Sequence, residues 1–98
     1  KHPQKALLKK YAQDYEAKYK SEPGTFGGHA YDSIMMIVEA LKSAGPDKKK
    51  MKDYIETNIK KWPGTGGIFN ISPDDHCGLD KDAFEMVVVK NGNWEILK

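Results

Sequence analysis

The stretch from Phe26 to Gly45, FGGHAYDSIMMIVEALKSAG, limits what this chain can fold into more than any other. An aromatic residue and a glycine pair lead into a helical pattern that stops at a glycine. From Ile34 to Val38 no residue is polar. A helix that is apolar nearly all round is expected to be covered on more than one side. The span from about His29 to Ala44 is therefore read as a buried helix with Gly45 as its C-cap.

A chain of 98 residues makes at most one small domain with a modest core. Hydrophobic residues make up 39% and charged residues 31%, which fits a folded globular unit and not a disordered one. No apolar run approaches the roughly 20 residues that span a bilayer. The chain starts at Lys1 without methionine, as a processed or cut chain would.

Charge argues against nucleic acid as a partner. The net charge is +2, and all 16 basic residues are lysine. Arginine forks usually read phosphate and guanine, and there are none. The single cysteine, Cys77, excludes an internal disulfide and any CxxC site.

Two further helices flank the apolar one. After Pro3, Leu7, Leu8, Tyr11, Ala12, Tyr15 and Tyr19 recur at three- and four-residue spacing, the stripe of an amphipathic helix. Its tyrosines read as core or as a stacking surface for a ligand, core being the commoner use. Ser21-Glu22-Pro23-Gly24 ends this helix with turn chemistry, and Thr25 and Phe26 follow as a short extended piece. Asp47 is a good N-cap for a third helix, whose stripe is Met51, Tyr54, Ile55, Asn58, Ile59 and Trp62. Lys48-Lys49-Lys50 reads as a solvated face, without the aromatic residues of a nucleic-acid surface.

The rest is β structure and turns. Pro63-Gly64-Thr65-Gly66-Gly67 is not a phosphate loop, because a helix precedes it and a strand, Ile68 to Ile71, follows. Asp74, Asp75, His76 and Cys77 are all metal-ligand types. Four neighbours in one extended loop diverge, however, so the segment is read as a turn that accepts backbone hydrogen bonds. Phe84 to Lys90, Asn91-Gly92 and Asn93 to Leu97 form a hairpin pattern with Trp94 and Ile96 alternating inward. The expected class is α+β: three helices, a strand and a C-terminal β-hairpin. A ribbon of two strands is rarely stable alone, so a covering partner is expected.

Three features remain as candidates for chemistry. Gly27-Gly28 reads either as a plain loop or as backbone that lines a ligand cleft. His29 reads as a capping or surface residue, a ligand contact or a metal ligand. Tyr31 and Asp32 fall in the expected first turn, where a carboxylate complements the helix dipole. No GxSxG, HExxH or cysteine with a placed base is present, and nothing in the sequence calls for an enzyme.

A series of segments resembles the C-terminal quarter of one family. These are Tyr11 to Lys20 with Glu22-Pro23-Gly24-Thr25-Phe26, then Ala30-Tyr31-Asp32, then Glu39 to Gly45. Gly64 to Asn70, Ser72 to Leu79 and Val87 to Trp94 continue it. The chain is similar, over essentially its whole length, to type I periplasmic binding proteins of branched-chain amino acid ABC transporters. Cys77 departs from that family, whose loop usually carries a small polar residue there.

The resemblance implies an α/β receptor of two hinged lobes that closes on a small ligand, non-catalytic and without a cofactor. Residues 1–62 would lie mostly in the first lobe, and residues 63–98 would run toward the second. Phe26 matches a position whose ring lines the cleft, with Gly27 and Gly28 beside it and His29 and Tyr31 as weaker candidates. Asp74, Asp75 and His76 match a motif read as structural. The implied partners are an amino acid or a related small polar compound and, through the full-length protein, a membrane permease. The implied location is periplasmic or extracellular, with a lipid anchor in a Gram-positive cell.

Import and ligand sensing on the same fold both stay open, and a small metal-binding or scaffold module stands behind them. The isolated piece is expected to self-associate, since faces meant for a partner find another.

Overall fold

Helical periodicity and capping chemistry set the first half of the chain. The computed structural model describes residues 2–98. Helix α1 spans Lys5–Tyr19, α2 Thr25–Ala44 and α3 Lys48–Asn58. Lys20 ends α1 in the left-handed region at φ 57°, returning its N–H to the Glu16 carbonyl. Gly45 ends α2 at φ 76° and donates to the Leu41 carbonyl at 3.0 Å. Asp47 caps α3 as expected: its Oδ1 accepts the Lys50 N–H at 2.9 Å.

Two helix readings need correction. Helix α2 begins at Thr25, four residues before the expected start, so Phe26 is helical and Gly27-Gly28 is not a loop. Tyr31 and Asp32 consequently sit in its second turn. Helix α3 ends at Asn58, so Ile59 and Trp62 reach the core from non-helical backbone.

The core lies between α2, α3 and the segment that follows. Met36, Ile59, Phe69 and Ile71 are buried together, with Ile55, Trp62 and Leu79 packed around them. A short antiparallel pair, β1 (Trp62–Pro63) and β2 (Ile68–Phe69), folds the glycine cluster into a hairpin turn. The indole of Trp62 and Tyr54 Oη both donate to the Glu39 carboxylate, tying α2 to α3 and β1. The strand expected over 68–71 is thus only two residues long. Ile71 is fixed instead by its N–H donating to the Ile59 carbonyl at 2.8 Å.

The segment from Ser72 to Gly78 is the expected turn. Asp75 Oδ1 accepts the N–H groups of Cys77 and Gly78, each at 3.0 Å. His76 Nε2 lies 2.8 Å from Glu56 Oε1, which also pairs with Lys52. These hydrogen bonds hold the loop against α3.

A single 3₁₀ turn, Lys81–Ala83, leads to the antiparallel ribbon of β3 (Val87–Lys90) and β4 (Asn93–Ile96). Asn91 and Gly92, at φ 49° and 76°, supply the two left-handed positions of its tight turn. Directly opposed residues share a face. Val87 with Ile96 and Val89 with Trp94 therefore make one wholly apolar face. Lys90 and Glu95 pair at 3.6 Å on the other. Trp94 and Ile96 do share one face, but the inward reading is corrected: no described layer covers that face, and both residues are exposed. The four side chains of that face are 44–75% exposed.

The apolar helix is also covered on one side only. Its line of Gly28, Asp32, Met36 and Ala40 is buried, whereas Ile34, Met35, Ile37 and Leu41 are exposed. The stripe of α1 likewise holds no fully buried residue. Accessible surface totals 7890 Å², against about 5,600 Å² for a compact monomer of this mass. The radius of gyration, 15.7 Å, exceeds the roughly 13 Å of a compact chain this long.

Candidate ligand-binding site

The N-terminal end of α2 meets the glycine-rich turn after β1, and Asp32 joins them. Asp32 is 2% exposed, and its carboxylate accepts three hydrogen bonds from that turn. The Thr65 N–H donates at 2.7 Å, the Thr65 hydroxyl at 3.0 Å and the Gly66 N–H at 2.9 Å. Full pairing of this kind is what permits a buried carboxylate. Gln4 Nε2 donates to the Gly64 carbonyl at 2.8 Å and brings the start of α1 to the same turn.

Close approach explains the glycines. A Cβ on Gly28 would stand 2.7 Å from Thr65 Oγ1, and one on Gly66 would stand 2.6 Å from the His29 ring. Side chains at either position would push the turn away from α2. His29 therefore lies along the turn backbone, and the turn stays within reach of Asp32.

A cavity of about 570 Å³ opens beside this junction. Gly28, His29, Thr25, Thr65, Tyr11 and Phe84 are among its walls. The N-cap of α2 is Gly24, which has no side chain to accept a first-turn N–H, and that turn contains no acidic residue. The positive end of a 20-residue helix thus meets the cavity wall at Thr25. Hydroxyls, an imidazole and apolar surface together suit a small polar ligand with an apolar part.

A second cavity of about 310 Å³ lies between α1 and α2, lined by Tyr11, Tyr15, Tyr19, Tyr31 and Gly27, with Lys10, Asp14 and Lys18 at its edge. Ring centroids of Tyr11 and Tyr31 are 5.0 Å apart, and those of Tyr15 and Tyr19 are 4.7 Å apart. Desolvation, reinforced by Tyr15 and Asp32, pushes the Tyr11 hydroxyl above its ordinary range. The ladder is partly buried by its own rings and by α2.

The five residues singled out from the sequence are thus divided. Gly28 and His29 border the larger cavity, while Gly27 and Tyr31 border the smaller. Phe26 borders neither. It stands in the first turn of α2, 93% exposed, with its ring in the open. Leu8, Leu79, Ala83 and Phe84 join the larger cavity without any motif to mark them. Thr65 could have been suspected from the glycines around it, which allow a backbone to come close to a partner.

No protein-family model and no curated protein matches the chain. Among solved structures it is similar to a leucine-binding protein, LivK, from Thermotoga maritima, with a TM-score of 0.65 and 26% identity. The match covers 100% of this chain and 26% of that one. The chain therefore spans about a quarter of that protein's length.

Proposed function

We propose that this chain is the C-terminal part of a solute-binding receptor, one that takes a small ligand, an amino acid or a close relative, between two hinged lobes. The observation that carries this reading is the likeness to a leucine-binding protein along the whole of this chain. The cavity at the start of α2 agrees with it in size and chemistry, since small-molecule sites run from about 300 to 1,000 Å³.

On this reading Phe26 is the contact this chain offers to the apolar part of the ligand. Its exposed ring is what an aromatic wall looks like before a second lobe closes on it. Gly28 and His29 border the larger cavity, and Gly27 and Tyr31, beside the smaller one, are the further candidates. Residues 1–62 belong mostly to one lobe and residues 63–98 run toward the other. The receptor hands its ligand to a membrane permease on the periplasmic or extracellular side and performs no chemistry on it.

A thermal-shift screen tests this, with the longer polypeptide and this chain run side by side. The panel holds branched-chain and other amino acids, aromatic carboxylates, amides and zinc. A ligand at about 100 times its Kd stabilises the folded state by about 2.7 kcal/mol. The longer protein is expected to shift with an amino acid and this chain with none. A shift of this chain alone, above all with zinc, would overturn the reading.

A further inference from the structure

Asparagine is a chemically labile residue. Its lifetime depends on the residue that follows and on the freedom of its own side chain. A glycine nitrogen is the least hindered nucleophile a following residue can offer, since no Cβ stands beside it. The chain has four asparagines, and three of them are shielded. Asn58, Asn70 and Asn93 precede Ile59, Ile71 and Trp94, whose side chains crowd the nitrogen that would attack. Their amides are also held: Asn58 Nδ2 donates to the Tyr54 carbonyl at 3.1 Å, and Asn70 Oδ1 accepts the Lys61 N–H at 2.8 Å. Asn93 Nδ2 reaches the Asn91 carbonyl at 3.4 Å.

Asn91 differs on each count. It precedes Gly92, and both residues are exposed. Among the described residues, no side-chain hydrogen bond involves its amide, and the Gly92 N–H has no carbonyl partner. The folded turn itself opposes attack. Asn91 and Gly92, at φ 49° and 76°, close the two-residue loop between Lys90 and Asn93, and ring closure requires the backbone to swing out of it. The ribbon permits that movement. It has two strands of four residues, no third strand and an uncovered apolar face, so it opens at little free-energy cost.

We propose that Asn91 is a site of spontaneous covalent modification that ends the register of the β3–β4 ribbon. The Gly92 backbone nitrogen attacks Asn91 Cγ and gives up its proton, and the side-chain amide leaves as ammonia, closing a five-membered succinimide. Water then opens the ring at one carbonyl to give aspartate, or at the other to give isoaspartate. Either way an amide becomes a carboxylate, and the formal net charge of +2 falls by one. Isoaspartate also routes the main chain through the side-chain carbons. The lengthened backbone no longer fits the tight turn that sets which residues of the two strands face each other.

Incubation of the chain at mildly alkaline pH, folded and unfolded in urea, with peptide mapping by mass spectrometry, tests this. Aspartate and isoaspartate should accumulate at Asn91 of the folded chain within about tenfold of the unfolded rate, while Asn58, Asn70 and Asn93 stay intact. Asn91→Asp supplies the ordinary product alone. It should keep the cross-strand nuclear Overhauser contacts of Val89 with Trp94, since aspartate–glycine suits the same turn. The isoaspartate form should lose them. An Asn91 that stays intact in the folded chain while the unfolded chain converts would overturn the site. An isoaspartate form that keeps the Val89–Trp94 contacts would overturn the effect on register.

Discussion

Asp32 is the residue on which the arrangement around α2 turns. Its carboxylate takes three donors, two from Thr65 and one from Gly66. Asp32→Ala should cost about 3 kcal/mol in urea denaturation, since it strands partly buried donors that now bond to a charged group. Out of a total of about 5 kcal/mol for a small domain, that is a large share. Glu56 offers a pH-dependent counterpart. Hydrogen bonds from Lys52, then from His76, hold its carboxyl below the usual range. A group whose folded pKa is depressed stabilises above its unfolded pKa and loses that contribution as pH falls through the folded value. Glu56→Gln should therefore lower the melting midpoint at pH 7, with the gap closing as pH falls through the carboxyl's lowered range and the unmodified side chain becomes protonated too. Neither role was legible in the sequence. Asp32 looked like a dipole partner because its real partners lie 33 and 34 residues away, and periodicity carries no information about pairs that distant. Glu56 sat unremarked in the third helix for the same reason.

At the scale of elements, the strong local signals were legible and the weak ones were not. The apolar period gave three helices, the glycine at Gly45 and the aspartate at Asp47 gave their caps, and Asn91-Gly92 gave the ribbon turn. The start of α2 was misplaced because Gly27 and Gly28 each disfavour helix by about 1 kcal/mol relative to alanine. Tertiary packing reverses that preference, for Gly28 lies against Thr65 and Gly27 against the Tyr11 hydroxyl. Strand β1 was missed because two residues, one of them proline, carry no period. The elements should also differ in local stability. Amides of Ile59 and Ile71, in the buried cluster, are expected to exchange most slowly with solvent. Those of Val87–Lys90 and Asn93–Ile96 are expected to exchange much faster at concentrations where the chain is monomeric, the ribbon being exposed and held by its own two strands. Hydrogen exchange followed by NMR measures both. Equal protection in ribbon and core would show that the ribbon is packed against something.

Taken whole, the molecule is built around α2, which meets α3 and the buried cluster on one side and has a bare apolar stripe on the other. The wide accessible surface and large radius of gyration describe the same fact at full scale. Sequence reasoning reached this point through the run from Ile34 to Val38, which no chain of 98 residues with two other short helices could easily enclose. A chain that matches a quarter of a leucine-binding protein along its own full length, and that leaves an aromatic ring in the open where its apolar helix begins, fits one part of a closing receptor. Calorimetric titration of branched-chain amino acids into the longer polypeptide, unmodified and as Phe26→Ala, puts that reading to its plainest trial. The unmodified receptor should bind one of them in a one-to-one complex, and loss of the Phe26 ring should weaken it at least about tenfold, or roughly 1.4 kcal/mol. Binding that is indifferent to Phe26→Ala, or no binding of any amino acid, would contradict it.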